Sequence, residues 1–204
     1  LSKFQIQEIR VHGTTFMSPA RVRTIANVLG LPTYQVDPTE IESVLTSHPE
    51  IASADVRVGW PNDIDINVEE VAPALQWNDG GNPWLVSSEG IGFLHRNQMT
   101  GLIEVYSSTP ILDIGDPSTP VIEPEKVQAA LDLNAILGDD AFLVCDENLG
   151  FGFQDPHGWT AYFGFGGDMA KKYHAYSRIV IQLEQSGYPA TIVSVEDLST
   201  AYYR

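Results

Sequence analysis

Ala54-Asp55-Val56-Arg57-Val58-Gly59-Trp60-Pro61-Asn62-Asp63-Ile64-Asp65-Ile66-Asn67-Val68-Glu69 is the stretch whose reading decides the fold. Ala54, Val56, Val58 and Trp60 alternate with polar residues, and beyond Pro61-Asn62-Asp63 so do Ile64, Ile66 and Val68. A period of two is that of a strand with one buried face. Proline pre-sets a turn, so the stretch reads as two strands joined at Pro61, with Trp60 anchoring the first and Ile64 and Ile66 returning to the same core face.

Working toward the N-terminus, Asp37-Pro38 starts a helix with Ile41, Val44, Leu45 and His48 on one stripe, ended by Pro49. Ser18-Pro19 starts an earlier one, with Val22, Ile25, Ala26 and Leu29 on its stripe and Gly30 and Pro32 as its stop. Ile9 and Val11 mark a strand ended by Gly13; Ile6 has the opposite parity and lies before it or on a bulge. The order is β-α-α-β-β. Two helices cover one face of this sheet, leaving Asp55, Arg57, Asp65, Asn67 and Glu69 on a polar face.

Pro73 marks a boundary, placing one domain at 1–72 and a second, β-rich one at 73–204. Leu75 and Trp77 run into a turn at Asn78-Asp79-Gly80-Gly81; Trp84–Val86 and Ile91–Phe93 read as short strands around Ser87–Gly90. Residues 107–120 read as loop. A helix runs from Pro124 to Leu137 with Val127, Ala130, Leu131 and Leu137 buried. Phe142–Val144, Leu149–Phe153 and Trp159–Phe165 read as consecutive antiparallel strands. Asp168 caps a longer helix carrying Met169, Tyr173, Tyr176, Val180 and Leu183, which Gly187 and Pro189 end. A strand over Thr191–Val195 and a polar turn into Ala201-Tyr202-Tyr203 close the chain. The fold class is α+β, the second domain being mixed, mainly antiparallel, with two helices.

With 27 acidic against 11 basic residues the net charge is −16, which repels phosphates and excludes nucleic-acid binding and a basic membrane-surface patch. The single cysteine, Cys145, cannot form an internal disulfide and reads as a buried hydrophobe. No apolar run approaches the ~18 residues of a membrane span. His12, His48, His95, His157 and His174 never pair at ligand spacing, and Asp155-Pro156-His157-Gly158 reads as a tight turn. Gly164-Phe165-Gly166-Gly167 lacks the Lys-Ser/Thr of a phosphate loop. Ser87-Ser88 lacks a nucleophile elbow, and Asp139-Asp140, Glu123 and Glu125 are helix-flanking charges. The reading is a non-catalytic protein with no cofactor and no metal.

Gly59-Trp60-Pro61-Asn62-Asp63-Ile64-Asp65-Ile66, continued through Glu69-Glu70-Val71-Ala72-Pro73-Ala74-Leu75-Gln76-Trp77 and Leu85-Val86-Ser87-Ser88-Glu89-Gly90-Ile91-Gly92-Phe93, resembles the FtsQ/DivIB family of bacterial cell-division proteins. Tyr162–Gly166, Lys171-Lys172 and Ile192–Asp197 are looser counterparts of later family features. The sequence departs from the family where Glu70, or Val71 if the acid is read one place on, stands in place of an Arg, and where Ser194 and Glu196 replace an acid and an Arg. The resemblance implies a POTRA domain over 1–72 and an FtsQ-type β domain over 73–204. It also implies an extracytoplasmic divisome scaffold that recruits FtsB- and FtsL-type partners. A membrane helix upstream of Leu1, about 20 residues long with basic residues on its cytoplasmic side, would be its only link to the cytoplasmic membrane. Partner binding in the family maps onto Val195, Ser199, Ala201 and Tyr203, and Tyr202 suits an interface beside them because an aromatic with a polar tip buries area and keeps a hydrogen bond. The strand Thr191–Val195 and Ala201–Tyr203 are expected to leave backbone groups free for an added strand. A POTRA-type secretion or outer-membrane assembly chaperone, and a soluble hydrolase with acids scattered in sequence, are the alternatives.

Overall fold

Period-two patterning and helix caps become, in the computed structural model, two units at Leu1–Ala72 and Pro73–Arg204. The structure describes residues 2–81, 83–94, 101–111, 119–138 and 142–204. His95 and Asp139-Asp140, singled out above, lie outside the described residues.

The first unit runs β1 (Glu8–His12), α1 (Pro19–Ala26), α2 (Pro38–Thr46), β2 (Ile51–Gly59) and β3 (Asp63–Glu70). The sheet order is β1-β3-β2, with β1 parallel and β2 antiparallel to β3. The Ser18 and Asp37 side chains accept from Arg21 N–H and Thr39 N–H, each satisfying one orphan donor of its helix. Val22, Ala26, Ile41 and Leu45 bury against Ile9, Val56, Ile64, Ile66 and Val68. Ile6 precedes the strand and is also buried, by its own backbone route: Ile6 N–H donates to Leu31 O.

Three expectations change here. Helix α1 stops at Ala26, because Asn27 takes a left-handed φ of 48° and caps it, so Leu29 falls beyond the stripe and is 69 % exposed. Val28 supplies the buried side chain instead. Val44 is 44 % exposed, since the buried stripe of a nine-residue helix needs only Ile41 and Leu45. Trp60 anchors no core: β2 ends at Gly59, and Trp60 sits in the turn, 68 % exposed, with its ring edge-to-face on Phe4 at 5.6 Å.

The second unit runs β4 (Pro73–Asn78), β5 (Trp84–Ser87), β6 (Gly92–Leu94), β7 (Ile103–Ser107), α3 (Pro124–Leu137), β8 (Leu143–Asp146), β9 (Gly150–Gln154), β10 (Thr160–Gly164), α4 (Met169–Ser186), β11 (Ile192–Ser194) and β12 (Tyr202–Tyr203). Among the described residues these make one sheet of order β12-β11-β10-β9-β8-β7-β4-β5-β6. The pairs β4/β7, β7/β8 and β10/β11 are parallel and the other five antiparallel, giving the mixed α+β arrangement expected. Strand β7 is an addition: its residues carry no clean alternation, yet it is central, joining β4 to β8. The core joins Leu75, Val105, Leu143, Phe151, Phe163 and Val193 of the sheet to Val127, Leu133, Tyr176 and Leu183 of the helices. Gly150 makes the β9–β10 pairing possible. Its φ is +77°, and a Cβ there would lie 2.3 Å from the Gly164 carbonyl carbon.

Candidate partner-binding edge

Strand β11 is not the margin of the second sheet. It pairs in parallel with β10 on one side and antiparallel with β12 on the other, so the margin is the two-residue strand β12. The chain reaches it through a tight turn: the Asp197 side chain accepts both the N–H (2.8 Å) and the hydroxyl (2.7 Å) of Ser199, and Thr200 N–H donates to Asp197 O. These bonds, first of all the Ser199 hydroxyl, hold the Asp197 carboxyl below the ordinary range.

Parity decides which backbone groups face out. Ile192 and Arg204 exchange both N–H···O bonds, each 3.0 Å, so they form a hydrogen-bonded pair. In an antiparallel ladder such pairs alternate with open ones. Val193–Tyr203 is therefore an open pair, and the N–H and C=O of Tyr203 point away from β11. Ala201, two residues back, shares that parity.

Of the expected partner-binding residues, Ser199, Ala201, Tyr202 and Tyr203 lie together along this turn and strand. Val195 does not join them. It is fully buried, and its N–H donates to Tyr162 O, continuing the parallel ladder. Two residues after Val193, it keeps that residue's face of the sheet, and both belong to the core cluster. Ser199 and Ala201 are exposed, and Tyr202 is 37 % exposed. Tyr203 is half-buried and meets the Tyr188 ring edge-on at 5.3 Å. Tyr188, itself 49 % exposed, was missed in the sequence because it follows the helix cap, where periodicity carries no signal.

Behind the edge, Lys172 of α4 is 7 % exposed and donates from Nζ to Phe163 O (2.7 Å) and Gly166 O (2.5 Å). Burial lowers its pKa, while Glu196 and Asp197 oppose that shift. The Gly164–Gly167 loop is thus closed by a lysine of its own chain, and Asp168 caps the helix that follows. Nearby, Tyr176 donates to Asp155 and accepts from Trp159 Nε1 at 2.9 Å. His157 bonds Asp155 through Nδ1 at 2.6 Å and Glu184 through Nε2 at 3.0 Å, its ring stacked on Trp159. The Asp155 hydrogen bond chiefly raises the His157 pKa. Cys145 is buried, and desolvation pushes its thiol up to about 12. The Glu70 carboxylate accepts the N–H groups of Thr15 (2.9 Å), Phe16 (2.6 Å) and Met17 (2.8 Å). Among the described residues no group of three or more His, Cys, Asp or Glu side chains is arranged to hold a metal ion. Nor is any described helix long and apolar enough to cross a membrane.

The β-α-α-β-β order of the first unit is that of a POTRA domain, and the family model of the FtsQ-type POTRA domain matches residues 4–70. Residues 4–70 are thus a POTRA domain of FtsQ type, and the chain is similar to bacterial cell-division proteins of that name. It is 29% identical over 126 residues to the cell division protein FtsQ of Chloroflexus aurantiacus, covering 60% of this chain and 43% of that one. It is 35% identical over 91 residues to the FtsQ of Streptomyces coelicolor, covering 44% and 34%. The chain thus spans less than half the length of these relatives.

Proposed function

We propose that this chain is the extracytoplasmic part of a divisome scaffold, tethered to the cytoplasmic membrane by a single upstream helix, which recruits FtsB- and FtsL-type partners by strand addition to β12 rather than by catalysis. The observation carrying the reading is the outward parity of Ala201 and Tyr203 on the marginal strand. A partner strand gains main-chain hydrogen bonds there, while Tyr202 and the Tyr203–Tyr188 pair offer aromatic area to its alternating side chains. The family relationship supports a role in cell division.

The test is titration of the chain with FtsB–FtsL ectodomains, alongside thermal melts. Ala201→Pro deletes an outward N–H without removing an internal bond and is expected to weaken binding with the midpoint unchanged. Tyr203→Ala is expected to cost about 2 kcal/mol of affinity, as a hot spot does. Wild-type affinity in both variants would return the segment to a structural role.

A further inference from the structure

The sheet of the first unit has two open margins, β1 and β2, and on each a charged side chain holds a marginal backbone group. On β2, Val56 N–H is taken by the Glu42 carboxylate of α2 at 2.9 Å. That N–H therefore points outward, and by alternation Ala54 and Val58 do too. On β1, Ile9 O accepts from Arg23 Nε of α1 at 2.8 Å. An acid sits on a marginal donor and a base on a marginal acceptor. Charged groups at strand edges suppress unwanted pairing.

What β2 is protected from follows from its own sequence. Lay β2 of a second copy antiparallel against it, centred on Val56. Val56 then faces its own twin, and because its backbone groups point outward the two exchange both hydrogen bonds. Ala54 faces Val58 in each half, and Asp55 faces Arg57, opposite charges on the polar face. The strand is self-complementary in register, side chain and charge, and Glu42 occupies the central donor of that arrangement.

We propose that Glu42 is a specificity guard: it closes the β2 margin to a second copy of this chain. The inference stands on the first unit alone and does not require the β12 reading. Glu42→Ala on a helix surface removes the acceptor while favouring the helix, whereas Glu42→Gln keeps an oxygen that can accept. Both are made in the Ala201→Pro background, so association through β12 cannot contribute.

Sedimentation velocity over a concentration series reads association, and amide exchange reads Val56. The expected result is dimer formation by Glu42→Ala, with the Glu42→Gln and unsubstituted proteins less associated at the same concentration. In monomeric, dilute samples the Val56 amide of Glu42→Ala is expected to exchange about tenfold faster or more. Adding Arg57→Asp sets like charges opposite each other in the proposed register and is expected to abolish the dimer. Glu42→Ala sedimenting as the unsubstituted chain does, or a dimer indifferent to Arg57→Asp, overturns the proposal.

Discussion

Replacing Tyr176 with Phe tests whether the polar cluster under α4 holds the second unit together. The ring is 3 % exposed and packs edge-on against Phe153 and Phe163, contacts that Phe preserves. Only the hydroxyl is lost. It donates to the Asp155 carboxylate, which is 8 % exposed, and accepts from Trp159 Nε1, whose side chain is buried. A hydrogen bond to a charged group contributes about 1.5–3 kcal/mol, and an orphaned buried donor costs about 1–3 kcal/mol. His157 still bonds Asp155, which limits the first loss, so the expected destabilisation is about 3 kcal/mol. For a unit of this size that lowers its melting midpoint by roughly 10 °C. Urea unfolding followed by tryptophan fluorescence reads the change directly, with the slope unchanged. There is also a signature in pH. Burial opposes ionisation of Asp155, but the bonds from Tyr176 and His157 outweigh it and hold the carboxyl below its ordinary value. A depressed carboxyl stabilises the fold above its unfolded pKa, and that stability is lost as pH falls through the folded pKa. Removing the Tyr176 donor raises that pKa, so acid unfolding of the variant begins at higher pH. A loss under about 0.5 kcal/mol, within the range of ordinary surface changes, with an unmoved acid limb, would refute the argument.

Glu70→Ala frees three N–H groups of the loop after β1 and is expected to cost the first unit about 2 kcal/mol, seen as faster amide exchange at Thr15, Phe16 and Met17. Gly150→Ala would force a Cβ into the Gly164 backbone at a φ of +77° and should cost more than about 3 kcal/mol, preventing stable folding of the second unit. Gly166→Ala, with nothing within 4 Å of its Cβ, is the control and should melt with the unsubstituted protein. His157 has a raised pKa, so the stability it contributes is complete below its unfolded value and fades as pH rises through the folded one. His157→Gln should flatten that part of the stability–pH curve measured by urea midpoints, and an unchanged curve would mean its bonds to Asp155 and Glu184 carry nothing.

Local rules sufficed wherever one residue's neighbours in sequence are its neighbours in space. The caps at Ser18, Asp37 and Asp168, the alternation of β2 and β3, and the β-α-α-β-β order were legible because each is set by contacts within a few residues. So was the resemblance carried by Trp60-Pro61 and the strand after it, which the FtsQ-type POTRA match over residues 4–70 bears out. Tertiary structure decided the rest. Strand β7 is a strand because β4 and β8 supply its partners from far along the chain, not because Ile103–Ser107 alternates. A two-residue strand has no period at all, so β12, and with it the outward parity of Ala201 and Tyr203, appears only once β11 is in place. The pairing of Glu42 with Val56 and of Tyr176 with Asp155 spans 14 and 21 residues, and folding alone brings those groups within reach.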